Sequence, residues 1–218
     1  MQSPRFAVTD LVVTGQSRRT ADALLEEAGL SKGVNVFSID LDRARAALLS
    51  DPWICEATLS RRLPGTVGVR VTEREIGALV ALRQTYLVSR DGVIFKRFEL
   101  GDPTDLPIVT GIDSDRVAVD RDGVQSTLRR ALDLASDFER TTLGQREVVQ
   151  EIHVTSDGGF TLIVGKEGLA LSFGAPPFRK KLDEANRVSA ELDRRGERPR
   201  AIMLDDEARP ERVVVRTR

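Results

Sequence analysis

The chain has 218 residues, 31% of them charged and 40% hydrophobic, with a formal net charge of -1. That balance describes folded protein long enough for two small domains, excludes a disordered chain, and lacks the basic excess expected of a nucleic-acid binder. One cysteine and one histidine exclude an internal disulfide and the familiar zinc ligand sets within the chain.

Residues 6–14 read as a strand with a flaw. Phe6 and Val8 lie on one parity and Leu11 and Val13 on the other, which predicts a bulge or bend at Thr9-Asp10. A helix follows over 17–28, with Ala21, Leu24, Leu25 and Ala28 at helical spacing and Gly29 after its end. Residues 35–39 form a short extended link. Asp40 or Asp42 caps a second helix that turns Leu41, Ala44, Ala47 and Leu48 inward, and Asp51-Pro52 stops it. Next comes a strand with Trp53, Cys55, Ala57 and Leu59 on its apolar face and Glu56, Thr58 and Ser60 on the other. Leu63-Pro64-Gly65 makes a turn, with glycine supplying a positive φ. Val67, Val69 and Val71 then alternate with Gly68, Arg70 and Thr72 in a second strand. The order β-α-α-β-β, with two helices over one sheet face, makes a two-layer α+β domain over 1–74.

From residue 75 to 218 the chain is a mixed, strand-rich domain with two helices. Strands are predicted over 78–81, 86–89 and 93–97, the last two joined by the turn Arg90-Asp91-Gly92. A short extended segment covers 106–110. A helix over 124–138 carries the stripe Val124, Leu128, Ala131, Leu132, Ala135 and Phe138. Strands over 148–154, 160–164 and 169–173 follow, separated by glycine turns. Pro177 opens a helix with Phe178, Leu182, Ala185, Val188 and Leu192 on one face, ended by Gly196. Strands over 200–204 and 212–218 close the chain.

The string from Trp53 through Arg-Arg-Leu-Pro-Gly to Val-Arg-Val-Thr-Glu73-Arg74 resembles the end of a POTRA domain. In particular it is similar to that of the bacterial cell-division family FtsQ, also called DivIB. Glu75-Ile76 stands where the family often has Pro-Val. The Asp91-Gly92 turn before Val-Ile-Phe, the run Leu106-Pro107-Ile108-Val109-Thr110-Gly111, and Phe178 with Lys181-Leu182 resemble the β domain that follows POTRA in that family. The resemblance implies a divisome scaffold that is not an enzyme, needs no cofactor or metal, and links FtsB and FtsL to septal peptidoglycan synthesis. It also implies a place on the periplasmic face of the inner membrane, held by a single-pass anchor. No apolar run approaches the roughly 20 residues that cross a bilayer, and no signal peptide is recognisable. Two readings stay open: a fragment from outside the membrane, or a native protein without an anchor. A rival function is a POTRA protein of outer-membrane protein assembly or secretion, although such proteins usually repeat the unit or carry a barrel. Near the end, Ile202-Met203-Leu204-Asp205-Asp206 stands where the family often reads Tyr-x-Asp-Leu-Arg, so the contact of that basic residue does not transfer.

Individual residues offer little chemistry. Cys55 reads as a small buried hydrophobe and Trp53 as a core or domain-packing residue. His153 lies on a strand without any nucleophile motif nearby in sequence. Asp113, Asp115, Asp120 and Asp122 form an acidic loop out of EF-hand register, read as solvated with helix caps. Glu73-Arg74-Glu75 reads as an exposed charge cluster. The last run, Arg212, Val213, Val214, Val215, Arg216, Thr217 and Arg218, is a terminal strand suited to a sheet edge. Its arginines either block edge pairing or receive an acidic extended partner. The resemblance implies the second, because FtsB adds a strand to the final β-domain strand of FtsQ.

Overall fold

The computed structural model describes residues 6–205 and 214–217. It divides into two compact units, Met1–Glu75 and Ile76–Arg218.

In the first unit, β1 (Asp10–Thr14), α1 (Ala21–Glu27), α2 (Leu41–Ser50), β2 (Ile54–Arg62) and β3 (Thr66–Glu73) build a three-stranded sheet of order β1-β3-β2. β1 runs parallel to β3, and β2 antiparallel. Val67, Val69 and Val71 point into a core closed by Leu24, Ala28, Ala44 and Leu48 from the helices. The parity change near Thr9-Asp10 is a real bend: both backbone N–H groups donate to Gly65 O, at 2.8 and 3.2 Å. Upstream of it, Phe6 and Val8 exchange hydrogen bonds with Gly33, Val34 and Val36 instead of the sheet.

Three local expectations are corrected. Gly65 does not take a positive φ; it is small because a Cβ there would lie 2.4 Å from Ala7 O. The first helix starts at Ala21, capped by Thr20, and not at Ser17. Residues 17–19 are held out of the helix because their backbone N–H groups wrap the Glu73 carboxylate. In β2 the register shifts between Ile54 and Glu56. That bulge lets Ile54 enter the core and leaves Cys55 half-buried, its thiol donating to Thr72 O at 3.2 Å. Trp53 is half-buried as well, with the Arg18 guanidinium 3.9 Å above its ring.

Among the described residues the second unit is built on one nine-stranded sheet, order β12-β11-β10-β9-β8-β7-β4-β5-β6. Its strands are β4 (Ile76–Ala81), β5 (Thr85–Ser89), β6 (Ile94–Arg97), β7 (Ile108–Thr110), β8 (Val149–Val154), β9 (Phe160–Val164), β10 (Leu169–Gly174), β11 (Pro199–Met203) and β12 (Val214–Thr217). Helices α3 (Ser114–Val119) and α4 (Arg121–Glu139) carry the chain from β7 to its parallel neighbour β8. Helix α5 (Arg179–Arg195) does the same between β10 and β11. Parallel neighbours need such crossovers, because a tight turn cannot reverse the chain twice. The apolar stripes of α4 and α5 share one core with Ile152, Leu162, Leu171 and Ile202 of the sheet. Helix α3 was not expected: Asp113 caps it and Asp120 caps α4, so the acidic run serves two helix starts.

Candidate docking edge

The crossover through α5 decides where the last strand goes. It sets β11 beyond β10, and β12 returns antiparallel along the outer side of β11. Among the described residues β12 pairs with β11 alone and ends the sheet, as β6 does on the opposite side. Arg212, Val213 and Arg218, together with Asp206, lie outside the described residues.

Side chains directly opposite on paired strands share a face, so the registers join into rows. The row Ile152, Leu162, Leu171, Ile202 and Val215 faces the helices. The row Glu151, Ile163, Ala170, Ala201 and Arg216 lies on the other face, beside His153, Thr161, Ser172, Met203 and Val214. No residue of this second face from Thr161 to Met203 is fully buried, and Arg216 is exposed. The strand edge therefore adjoins a sheet face of small and apolar residues, with a guanidinium at its rim.

His153 sits on this open face. The Thr110 hydroxyl donates to Glu151 Oε1 at 2.5 Å and lies 2.9 Å from His153 Nδ1. The threonine oxygen thus spends its proton on the glutamate and presents a lone pair to the imidazole, so Nδ1 carries the hydrogen of this contact. Gly111 follows Thr110 at φ 80°, where a Cβ would stand 2.1 Å from Val154 O. Clefts of about 750 and 790 Å³ lie elsewhere in this unit, lined by Arg140, Arg179 and Asp183, and by Pro177, Lys181 and Asp205. Neither contains His153. Among the described residues no group of three or more His, Cys, Asp or Glu side chains is arranged to hold a metal ion.

In the first unit the charge cluster at Glu73 is ordered. Its carboxylate accepts from Ser17 Oγ at 2.6 Å and from the backbone N–H groups of Ser17, Arg18 and Arg19. Partial burial pushes its pKa up, but the Ser17 hydroxyl and the three backbone donors outweigh that and hold it below the ordinary carboxylate value. Nearby, Asp51 is almost fully buried. Its Oδ1 accepts from Trp53 N–H at 2.9 Å and its Oδ2 lies 3.0 Å from Arg19 Nη1 in an ion pair. Trp53, Arg18, Glu73 and Asp51 therefore tie the loop after β1 to the ends of α2 and β3. Period-two spacing and the family resemblance make Trp53 a core or domain-packing residue; neither indicates the aromatic face offered to Arg18.

The family model for the FtsQ-type POTRA domain matches residues 6–74, and that for the C-terminal part of cell division protein FtsQ/DivIB matches residues 78–207. The chain belongs to the FtsQ/DivIB family. It is 35% identical to cell division protein FtsQ of Anaeromyxobacter sp. strain K over 215 residues, which is 99% of this chain and 73% of that protein. It is 33% identical to FtsQ of Myxococcus fulvus over 216 residues, 99% of this chain and 75% of the relative. A Corynebacterium glutamicum FtsQ shares 38% identity over 72 residues, a third of each chain. Membership gives the chain a role in cell division and makes a periplasmic, membrane-associated setting consistent with its family. Among the described residues no helix is long and apolar enough to cross a membrane.

Proposed function

We propose that this chain serves cell division by binding and not by catalysis, with β12 as a template for an extended partner segment. The partner is of the FtsB or FtsL kind, and the complex connects it to septal peptidoglycan synthesis on the periplasmic side of the inner membrane, with a single-pass anchor holding the chain there. The run Arg212 to Arg218 supplies the contacts. The observation that carries this reading is the place of β12: last in a nine-stranded sheet, paired on one side only among the described residues. Backbone groups on such an edge accept a further strand without rearranging the core. Val215 packs against the core, while Arg216 is exposed and suits an acidic partner residue. Each added backbone hydrogen bond contributes about 0.5–1.5 kcal/mol net, so several must form together.

Calorimetry against a peptide from the carboxy-terminal region of an FtsB-like partner tests this. Val214→Pro removes a donor and should weaken binding, with Val213→Pro or Val215→Pro as the control of opposite parity. Arg212→Glu with Arg216→Glu should weaken it too, more at low salt, where charge is less screened. Unchanged affinity in both variants, with circular dichroism unchanged, would refute docking at this edge.

A further inference from the structure

We propose that the end of the first unit where β1 begins is a lipid-contacting tip, made by two loops that rest on an anionic membrane surface. The inference is independent of the β12 edge and of any protein partner. Three exposed apolar side chains lie on the segments at this end: Val34 at 38%, Phe37 at 57% and Leu63 at 60% relative exposure. They belong to the loop between α1 and α2 and to the turn between β2 and β3. Arg61 straps the two together, donating from Nε to Val36 O at 3.0 Å and from Nη2 to Ile39 O at 2.5 Å. The Phe37 ring meets Phe6 edge-on, with centroids 5.3 Å apart. Gly65 closes against Ala7, so the turn and the start of the described chain lie at the same end.

Charge favours a lipid surface as the occupant. Residues 31–39 and 61–65 contain Lys32, Arg61 and Arg62 and no carboxylate. Carboxylates stand only at the margins of these stretches: Asp40 and Asp42 follow the loop, where Asp40 accepts from the backbone N–H groups of Asp42 and Arg43, and Asp10 opens β1, where it accepts from the Thr9 hydroxyl. Aromatic and aliphatic tips ringed by cations are the composition that sinks into the headgroup layer while its charges stay at anionic phosphates. Three exposed apolar side chains on a loop and a turn make a small contact, whereas a protein partner of standard size needs a broad face. So few apolar groups bind weakly alone; resting here on the anchor of the proposed function, the contact orients a chain that the anchor holds near the bilayer.

The test tethers the full chain through an amino-terminal hexahistidine tag to vesicles of phosphatidylglycerol, nickel-chelating lipid and brominated phosphatidylcholine. Trp53 is the only tryptophan, so Trp53→Phe gives a dark background for Phe37→Trp, Leu63→Trp and, as a control on α2, Leu49→Trp. Quenching by brominated lipid should be at least about three-fold stronger at 37 and 63 than at 49. It should fall when phosphatidylglycerol is replaced by neutral lipid, or when Lys32 and Arg62 become glutamate. If Trp53→Phe unfolds the chain, a fluorophore on Phe37→Cys, Leu63→Cys or Leu49→Cys in a Cys55→Ser background reads the same depths. Equal quenching at all three positions overturns the proposal. So does a Phe37→Ser, Leu63→Ser variant that turns a dimer into a monomer in sedimentation, since the patch would then be an interface between copies.

Discussion

Replacing Glu73 by glutamine should loosen the first unit in a way that depends on pH. The native carboxylate takes the Ser17 hydroxyl at 2.6 Å and the Arg18 N–H at 2.9 Å, with weaker contacts from the Ser17 and Arg19 N–H groups. Charge-assisted hydrogen bonds are worth about 1.5–3 kcal/mol each in buried settings. These groups are largely solvated, so the whole cluster is better compared with a helix N-cap, and the expected loss is about 1 kcal/mol. Trp53 is the only tryptophan and lies in this unit, so its fluorescence follows the unfolding of this unit in urea. With a slope near 1 kcal/mol per M for a small unit, the midpoint should fall by roughly 1 M at pH 7. The folded pKa of Glu73 lies below the ordinary 4.5. Its contribution is therefore complete above pH 4.5 and disappears as pH falls through the lower folded value. The wild-type chain and Glu73→Gln should converge in acid. A difference that persists undiminished below that range, or none at pH 7, would refute the assignment of the carboxylate as the organiser of residues 17–19.

Gly111→Ala should destabilise the second unit by about 2–3 kcal/mol, because it combines a positive φ with a Cβ pressed on Val154 O. Gly158→Ala, at φ 81° with nothing within 4 Å, is the control and should cost only about 1 kcal/mol; equal losses by thermal melting would show that the close approach is immaterial. We further propose that each unit folds by itself with the joint after Arg74: residues 1–74 and 75–218 expressed separately should each give a cooperative melt, and failure of the first to fold would show the boundary to be misplaced.

Much of this protein is written locally. Val67, Val69 and Val71 alternate with polar residues and become the inward face of β3, because a strand turns successive side chains to opposite sides. The stripes on α4 and α5 carry their own period and are buried along it. The Trp53-to-Arg74 string and the later motifs were specific enough to indicate the family. Where sequence reading went astray, a residue distant in the chain decided the outcome. Glu73 competes for the N–H groups of residues 17–19 and delays α1; Ala7 O, not backbone torsion, demands a glycine at position 65; a bulge opposite Thr72 exchanges Ile54 for Cys55 in the core. The order of nine strands belongs to the same category. Composition along β12 shows that it is a strand, but only the α5 crossover and the parallel pairing of β10 with β11 put it at the rim with Arg216 on the open face. Periodicity reports which way a side chain points relative to its own backbone; which backbone lies beside it is settled by long-range packing, and that is where the docking edge acquires its neighbours.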